Sequence, residues 1–146
     1  LQLKDGSYVV AGSSASHDGD VDKNRGSADF YILRVDARGK ILGQKTMGGS
    51  GYEIPGLGSS SVQLADGSVV IIGETESDDI DVVGSSGDYD FWMVNVDPLK
   101  FKIASPEKAP KGSKLKKQRP SSVEWLQNYG GSKDDRPQDS PQALVR

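Results

Sequence analysis

The residues best suited to chemistry lie near the start of the chain, where oxygen-bearing side chains alternate with other residues. The five positions are Asp18, Asp20, Asp22, Asn24 and Asp29. Their spacing is that of an EF-hand calcium loop, in which carboxylate and amide oxygens converge on one hard cation. Lys23 occupies the place where that loop needs glycine for its turn. Two interpretations follow: a Ca2+ site, or an Asp-rich turn whose side chains cap their own backbone.

Other chemical patterns are sparse. The chain has no cysteine, which excludes disulfides, zinc–thiolate sites and thiol catalysis. His17 is the only histidine. The sequence has no phosphate-binding loop, dinucleotide fingerprint or nucleophile elbow. No apolar run approaches the ~20 residues of a membrane-spanning helix.

The elements that carry these residues are predicted from an internal repeat. Residues 3–12 (LKDGSYVVAG) recur sixty-one positions later as residues 64–73 (LADGSVVIIG). At the same offset, residues 29–33 (DFYIL) align with residues 90–94 (DFWMV). Such a repeat means that the fold must be argued from one unit and that its function is usually binding or scaffolding.

An insertion separates the later parts of the second copy. After it, the offset between the copies is eighty-two residues, which aligns Glu53 with Asp135. The inserted segment is basic, since residues 100–119 hold eight of the 18 lysines and arginines and one acid, Glu107. The whole chain has a net charge of −3 in spite of this basic segment, so the rest of the chain is acidic. An acidic surface argues against nucleic-acid binding. The basic segment predicts contact with a glycan or an acidic partner, or a solvated loop at a sheet edge.

Each copy predicts four short strands separated by turn residues. The expected strands are residues 1–3, 7–12, 29–35 and 41–47 in copy one, and residues 59–64, 68–74, 90–96 and 123–129 in copy two. Four antiparallel strands form one blade of a β-propeller. We therefore predict an all-β fold of two four-stranded antiparallel blades, either a fragment of a larger propeller or a ring completed by association. The alternative is an eight-stranded β-sandwich.

The predicted organisation is a single all-β repeat region over residues 1–146. Copy one covers about residues 1–58, and copy two covers about residues 59–138 with a disordered basic insertion at 100–120. Residues 139–146 form a partial strand of a next blade. Because the chain opens in mid-pattern, we also expect it to be a piece of a longer protein.

The apolar residues of the predicted strands are expected in the core. The continuous run at residues 69–72 (VVII) indicates burial on both faces. The strand aromatics are more typical of core than of sugar-stacking positions; they are Phe30, Tyr31, Phe91, Trp92 and Trp125.

The repeat resembles a known family. Its motifs are YGGS at residues 129–132 followed by two aspartates, DGSVVIIG at residues 66–73, and DFWMVNVD at residues 90–97. Copy one departs from them with Met47 in place of the tyrosine and Tyr31 in place of the tryptophan. The pattern resembles a repeat of large secreted or surface proteins from Bacteroidetes-type bacteria, many of which end in a type IX secretion sorting domain. The resemblance implies a propeller-like fold and an extracellular or cell-surface location.

Two functions remain open at this stage. The first is a non-enzymatic extracellular repeat module for adhesion, surface scaffolding or ligand binding, whose partners are other repeats of the same parent or another copy of the chain. The second is the propeller domain of a secreted carbohydrate-active enzyme, which requires a pair of acids about 5–9 Å apart. Asp5, Asp29, Asp66 and Asp90 recur at equivalent places, which favours a structural role for them over a catalytic one.

Overall fold

The structure is a computed structural model that describes residues 1–56, 60–85 and 88–102, together with the backbone of residues 135 and 136. The described elements are strands joined in antiparallel sheets, with one short 3-10 turn. The predicted all-β class is therefore confirmed. The predicted fourth strand of copy two, most of the basic insertion and the partial strand at 139–146 lie outside the described residues.

The eight strands in the described part of the chain form two sheets. In chain order they are β1 Tyr8–Ser14, β2 Asp29–Val35, β3 Ile41–Met47, β4 Glu53–Pro55, β5 Ser61–Gln63, β6 Val69–Thr75, β7 Asp90–Val96 and β8 Asp135–Arg136, and the 3-10 turn Pro98–Lys100 follows β7. The first sheet has the order β3-β2-β1-β8. In the second sheet, β7 lies on one side of β6, and β4 and β5 lie on the other.

The Asp-Gly turns before β1 and β6 confirm the expected hairpin chemistry. In copy one, Asp5 accepts hydrogen bonds from the amide and hydroxyl of Ser7, and Gly6 has φ of 83°. In copy two, Asp66 accepts the same pair from Ser68. A positive φ is the reason for glycine after each aspartate. The repeat is thus visible in local geometry as well as in sequence.

The two copies exchange short strands. Strand β4, which follows β3 of copy one, pairs with β6 of copy two and sets Glu53 opposite Thr75. Strand β8, which follows the insertion of copy two, pairs with β1 of copy one and sets Asp135 opposite Ser14. Since Glu53 aligns with Asp135 in the repeat, the two exchanges are equivalent. The sequence did not predict either strand.

The main core forms where the two sheets meet. We call the side of copy one that carries Val9, Ala11, Phe30 and Ile32 its front face, and the opposite side its back face. The equivalent front-face residues of copy two are Val70, Ile72, Phe91 and Met93. The back face of copy two carries Val69, Ile71, Gly73, Trp92, Val94 and Val96.

The front face of copy one packs on the back face of copy two. Phe30 and Ile32 share one buried cluster with residues of the second sheet, including Val69 and Ile71. The Phe30 and Trp92 rings lie with their centroids 4.9 Å apart at 54°. The Phe30 ring also lies so close to Gly73 that a β-carbon there would meet Cζ at 2.6 Å. The packing is therefore front to back, as in a stack, and the two copies do not pair through like faces.

Two sequence-based expectations for copy two are wrong. Ile72, in the run predicted to be buried on both faces, is 42% exposed, and Phe91, predicted in the core, is 90% exposed. Both lie on the front face of copy two. Alternation sends successive side chains of a strand to opposite faces, and only the back face of copy two meets the other copy.

Candidate functional site

The acidic loop before β2 holds the residues predicted to bind calcium. Its polar atoms make local turn contacts: the Asp18 carbonyl accepts from the Val21 amide, and the Asn24 side-chain oxygen accepts from the Gly26 amide at 3.1 Å. The Asp20 carbonyl accepts from the Tyr31 hydroxyl at 2.8 Å. Of these three contacts, the one made by Asn24 is a side chain that caps its own backbone, and the other two are made by backbone carbonyls.

The remaining two predicted ligands differ in burial. Asp22 is exposed, whereas Asp29 is fully buried at the start of β2 and accepts from the Arg25 amide at 2.9 Å. Across the described residues, no group of three or more Asp, Glu, His or Cys side chains is placed to hold a metal ion. That search does not count amide or backbone oxygens, so Ca2+ on Asp18, Asp20, Asp22, Asn24 and Asp29 stays a prediction.

The acidic loop of copy two contacts the glycine turn that follows β3. Asp79 accepts from the Ser50 amide at 2.8 Å, and Asp81 accepts from the Gly48 amide at 3.3 Å. Asp81 also forms an ion pair of 3.0 Å with Arg25 from the loop of copy one. The acids of this loop therefore hold the two copies together.

A second acid, Glu53, is buried at the junction between the copies. One carboxylate oxygen accepts from the hydroxyls of Thr75 and Ser77 at 2.8 and 2.6 Å, and the other accepts from the Gly49 amide at 2.8 Å. A charge that is removed from water is tolerated when its oxygens are satisfied in this way. The only sequence signal for Glu53 was its alignment with Asp135.

Asp29 and Glu53 approach each other across Gly48. A β-carbon on Gly48 would meet a Glu53 oxygen and, at 2.7 Å, Asp29 Oδ1. Asp29 Oδ1 is buried, and no described residue forms a hydrogen bond with it. Burial, with a further contribution from the Glu53 charge, raises the pKa of Asp29 to about 6. The pair is sealed at 0% exposure for both residues, so a glycan has no access to it.

The front face of copy two carries several exposed apolar side chains. Its exposed residues run across β5, β6 and β7, with exposed fractions of 54% for Val62, 42% for Ile72, 90% for Phe91 and 65% for Met93. The registers Val62–Val70 and Ile72–Met93 place these side chains on one side of the sheet. The same side also carries two exposed polar residues, Glu74 opposite Phe91 and Asn95 opposite Val70. Exposed apolar side chains grouped in this way indicate an interaction site.

The back face of copy one is partly open on strand β1. Val10 is 47% exposed, and Tyr8 and Gly12 are half-buried. Their equivalents in copy two, Ile71, Val69 and Gly73, are buried. The neighbouring strand β2 differs, because its back-face side chains are covered by a second cluster; its members are Val21, Tyr31, Leu33 and Val35.

The first residues of the basic segment lie against the first sheet. The Asp97 side chain accepts from the Leu99 amide and caps the 3-10 turn, and the Lys102 carbonyl accepts from the Gln44 amide at 2.7 Å. Phe101 packs beside Gly43, where a β-carbon would meet the Phe101 β-carbon at 2.6 Å. Lys100 and Lys102 are thereby held next to β3.

Comparisons with known proteins give no relative: no protein-family model, no curated protein and no solved structure matches the chain. In the described part of the chain, no helix has the length and apolar character needed to cross a membrane.

Proposed function

We propose that the chain is a non-enzymatic extracellular repeat module whose units assemble front to back into a scaffold. The observation that carries this proposal is the contrast between two equivalent surfaces. The front face of copy one is buried against a back face, and the same face of copy two is open. The occupant that fits the open face is the back face of a second copy of this chain.

The two exposed surfaces of the stack, the front face of copy two and strand β1 of copy one, support front-to-back assembly. The open front face offers Phe91, the equivalent of Phe30, and the open strand of copy one offers Gly12, the equivalent of Gly73. In the existing interface the Phe30 ring lies over Gly73. A second chain would contact the back face through strand β1, because Val21 covers the back-face side chains of β2. A heterologous contact of this front-to-back kind builds either a closed ring or an open filament. A ring of blades from several chains is the propeller that the sequence resemblance implies.

The carbohydrate-active enzyme is the less supported function. Glycoside hydrolysis needs two carboxyl groups that flank the substrate. The described acids that come closest to that description, Asp29 and Glu53, are fully buried and bonded to the protein. Their contacts support a role in joining the copies.

A second contact of the module is proposed for the basic segment. Residues 100–119 supply the positive charge for a glycan or an acidic partner, against the acidic remainder of the chain. Of its lysines, the structure describes Lys100 and Lys102, which are both exposed beside β3.

Sedimentation velocity over a range of chain concentrations tests the assembly. We expect the chain to self-associate, and the double variant Phe91→Ser with Met93→Thr to sediment as a monomer at the same concentrations. Val83→Ser is the matched control, because Val83 is 91% exposed but lies in the loop between β6 and β7 and not on a strand of the front face. Loss of association in the control as well would indicate non-specific stickiness and would overturn the proposal, as would a native chain that stays monomeric.

A mixing experiment distinguishes front-to-back from front-to-front contact. Val10→Asp blocks the back face and leaves the front face intact, whereas the Phe91/Met93 double variant does the reverse. Front-to-back assembly predicts that each variant is monomeric alone and that the mixture forms a 1:1 dimer and stops there. A Val10→Asp chain that dimerises by itself would contradict the proposed arrangement.

A further inference from the structure

The acidic loop of copy two binds a glycine turn. Asp79 accepts from the Ser50 amide at 2.8 Å. The Ser77 hydroxyl, at the start of the loop, accepts from the Gly51 amide at 2.8 Å and donates to Glu53 at 2.6 Å. The ligand of this loop is therefore a short motif, two glycines and a serine followed by an acid at the sixth position.

The acidic loop of copy one repeats the backbone conformation of that loop. Gly19 has φ of 67°, and its equivalent Ile80 has φ of 59°. A positive φ is uncommon for a β-branched residue, so more than local preference imposes this loop shape. The Val21 amide donates to the Asp18 carbonyl at 3.2 Å, and the equivalent bond in copy two measures 2.9 Å. The acids of the two loops are therefore held at equivalent places.

Two buried serines of β1 extend the likeness. The Ser16 amide donates to the Ser14 hydroxyl at 3.1 Å. Their equivalents Ser77 and Thr75 are also buried and make the same bond at 3.0 Å. In copy two these hydroxyls donate to the Glu53 carboxylate. The end of β1 therefore has the hydroxyl groups that bind an acid at the equivalent place in copy two.

The chain contains a second version of the motif that fits this kind of loop. Residues 130–135 (GGSKDD) align with residues 48–53 (GGSGYE). Lys133 replaces Gly51, so the likeness rests on the Gly-Gly-Ser start and the final acid. In the existing junction, a β-carbon on the second glycine would collide with the side chain of Asp79. The loop therefore requires glycine at a position where both versions have it.

Strand β8 places the end of this second motif at the site. It sets Asp135 opposite Ser14, in the register that β4 has with β6. The segment can reach this place within one chain, because Lys102 is also paired with the first sheet, at β3. Strands β3 and β8 are about 14 Å apart at about 4.8 Å per strand. Residues 103–134 span far more than this distance at about 3.3 Å per residue.

We propose that the acidic loop of copy one docks this chain's own residues 130–132, with Asp18 and Asp20 accepting from their backbone amides. The two buried serines of β1 bind the Asp135 carboxylate. Hydrogen bonds to a charged acceptor are the stronger kind, which suits a contact that fixes a turn. The two aspartates thus have a peptide ligand in place of the predicted Ca2+. The site needs no second chain, so it stands independently of front-to-back assembly.

Amide hydrogen exchange followed by NMR tests the docking. We expect the Ser132 amide to be protected in the native chain and to exchange at least about tenfold faster in Asp18→Ala. Asp79→Ala is the reference, because it should do the same to the Ser50 amide and leave Ser132 protected. Asp22→Ala is the matched control, because Asp22 is an exposed acid of the same loop and its equivalent in copy two is a valine.

Several outcomes of this experiment would overturn the proposal. One is a Ser132 amide that is unprotected in the native chain. Equal acceleration by Asp22→Ala, or loss of protection in EDTA, would mean that a bound cation organises the loop. Protection that appears only where the chain associates would place the segment on a neighbouring copy. The Phe91/Met93 double variant should keep Ser132 protected, so failure of repeat assembly is visible separately from failure of this site.

A double-mutant cycle tests the contact between the serines and the carboxylate. Ser16→Ala and Asp135→Ala together should lower the free energy of unfolding by less than the sum of their separate losses, because residues in contact are not additive. Ser77→Ala with Glu53→Ala is the reference pair. Asp134→Ala is the control, because its equivalent in the first junction is an exposed tyrosine, and it should add to Ser16→Ala. Additive losses for Ser16→Ala and Asp135→Ala would overturn the site.

Discussion

The two copies of the repeat present the same surface in two different environments. Phe30 on the front face of copy one is 0% exposed, and Phe91 at the equivalent place in copy two is 90% exposed. The sequences around the two residues are similar in type, DFYIL against DFWMV. The difference therefore comes from position in the stack. The back face of copy two covers the front face of copy one, whereas no described residues cover the front face of copy two.

The largest expected effect on stability comes from replacing Phe30 and Phe91 separately by alanine. Phe30→Ala removes a buried ring and should lower the free energy of unfolding by about 3–5 kcal/mol. Phe91→Ala at low concentration should change it by less than about 0.5 kcal/mol, because the ring is exposed. Denaturant unfolding measures both. Similar losses for the two variants would show that the faces are not in different environments.

The junction between the copies gives the next effect. Glu53→Ala leaves three donors without an acceptor: the Thr75 and Ser77 hydroxyls and the Gly49 amide. Each unsatisfied group costs about 1–3 kcal/mol, so we expect the free energy of unfolding to fall by at least about 3 kcal/mol. Glu53→Gln keeps one acceptor and should lose less. If Glu53→Ala unfolds at the same denaturant concentration as the native chain, Glu53 does not join the copies.

Asp29, at the junction between the copies, should make the stability of the chain depend on pH. Its pKa is raised to about 6 from an ordinary 3.8, so the folded chain keeps a proton that the unfolded chain releases. The free energy of unfolding should therefore fall as pH rises from about 4 to about 6 and then level off. The total is about 3 kcal/mol at about 1.4 kcal/mol per unit of pKa.

Asp29→Asn isolates this contribution. The charged groups that face Asp29 are Arg25 and Glu53, and Asp81 lies beyond Arg25. These groups remain in the variant, so the difference between native and variant unfolding curves at pH 4, 5, 6 and 7 reports Asp29. A native-minus-variant difference that does not change with pH would contradict a raised pKa.

The smallest expected effect compares the two Asp-Gly turns. Asp5 bonds Ser7 and also forms an ion pair of 2.7 Å with Arg34, whereas position 95, the equivalent of Arg34, is asparagine. Asp5→Asn should therefore lower Tm more than Asp66→Asn does. Because Asp5 is largely exposed, the difference should shrink at high salt. A salt-independent difference would assign it to the turn instead of the ion pair.

The repeat predicted much of the fold, because its strands follow local patterns. Strands β2, β3 and β7 have the predicted bounds, and the Asp-Gly turns form as their composition requires. Strand β4 was missed because its three residues end in Pro55 and follow a glycine turn, so no alternation is visible. The exchange of short strands between copies depends on contacts far apart in the chain.

The candidate sites were harder to predict than the strands. The exposure of Phe91 follows from what packs on a sheet, which alternation within one strand does not reveal. Glu53 could have been found from the sequence, because the repeat aligns it with another acid, Asp135.

The central claim, one surface in two environments, is tested most directly by thiol labelling, since the chain has no cysteine of its own. Single cysteines replace Ile32 and its equivalent Met93, with Val83→Cys as an exposed control. We predict that Ile32→Cys is unreactive at every concentration and that Val83→Cys always reacts. Met93→Cys should react fast in dilute solution and at least about tenfold more slowly once the chain associates. Equal reactivity at positions 32 and 93, or a rate at position 93 that ignores concentration, would contradict the account.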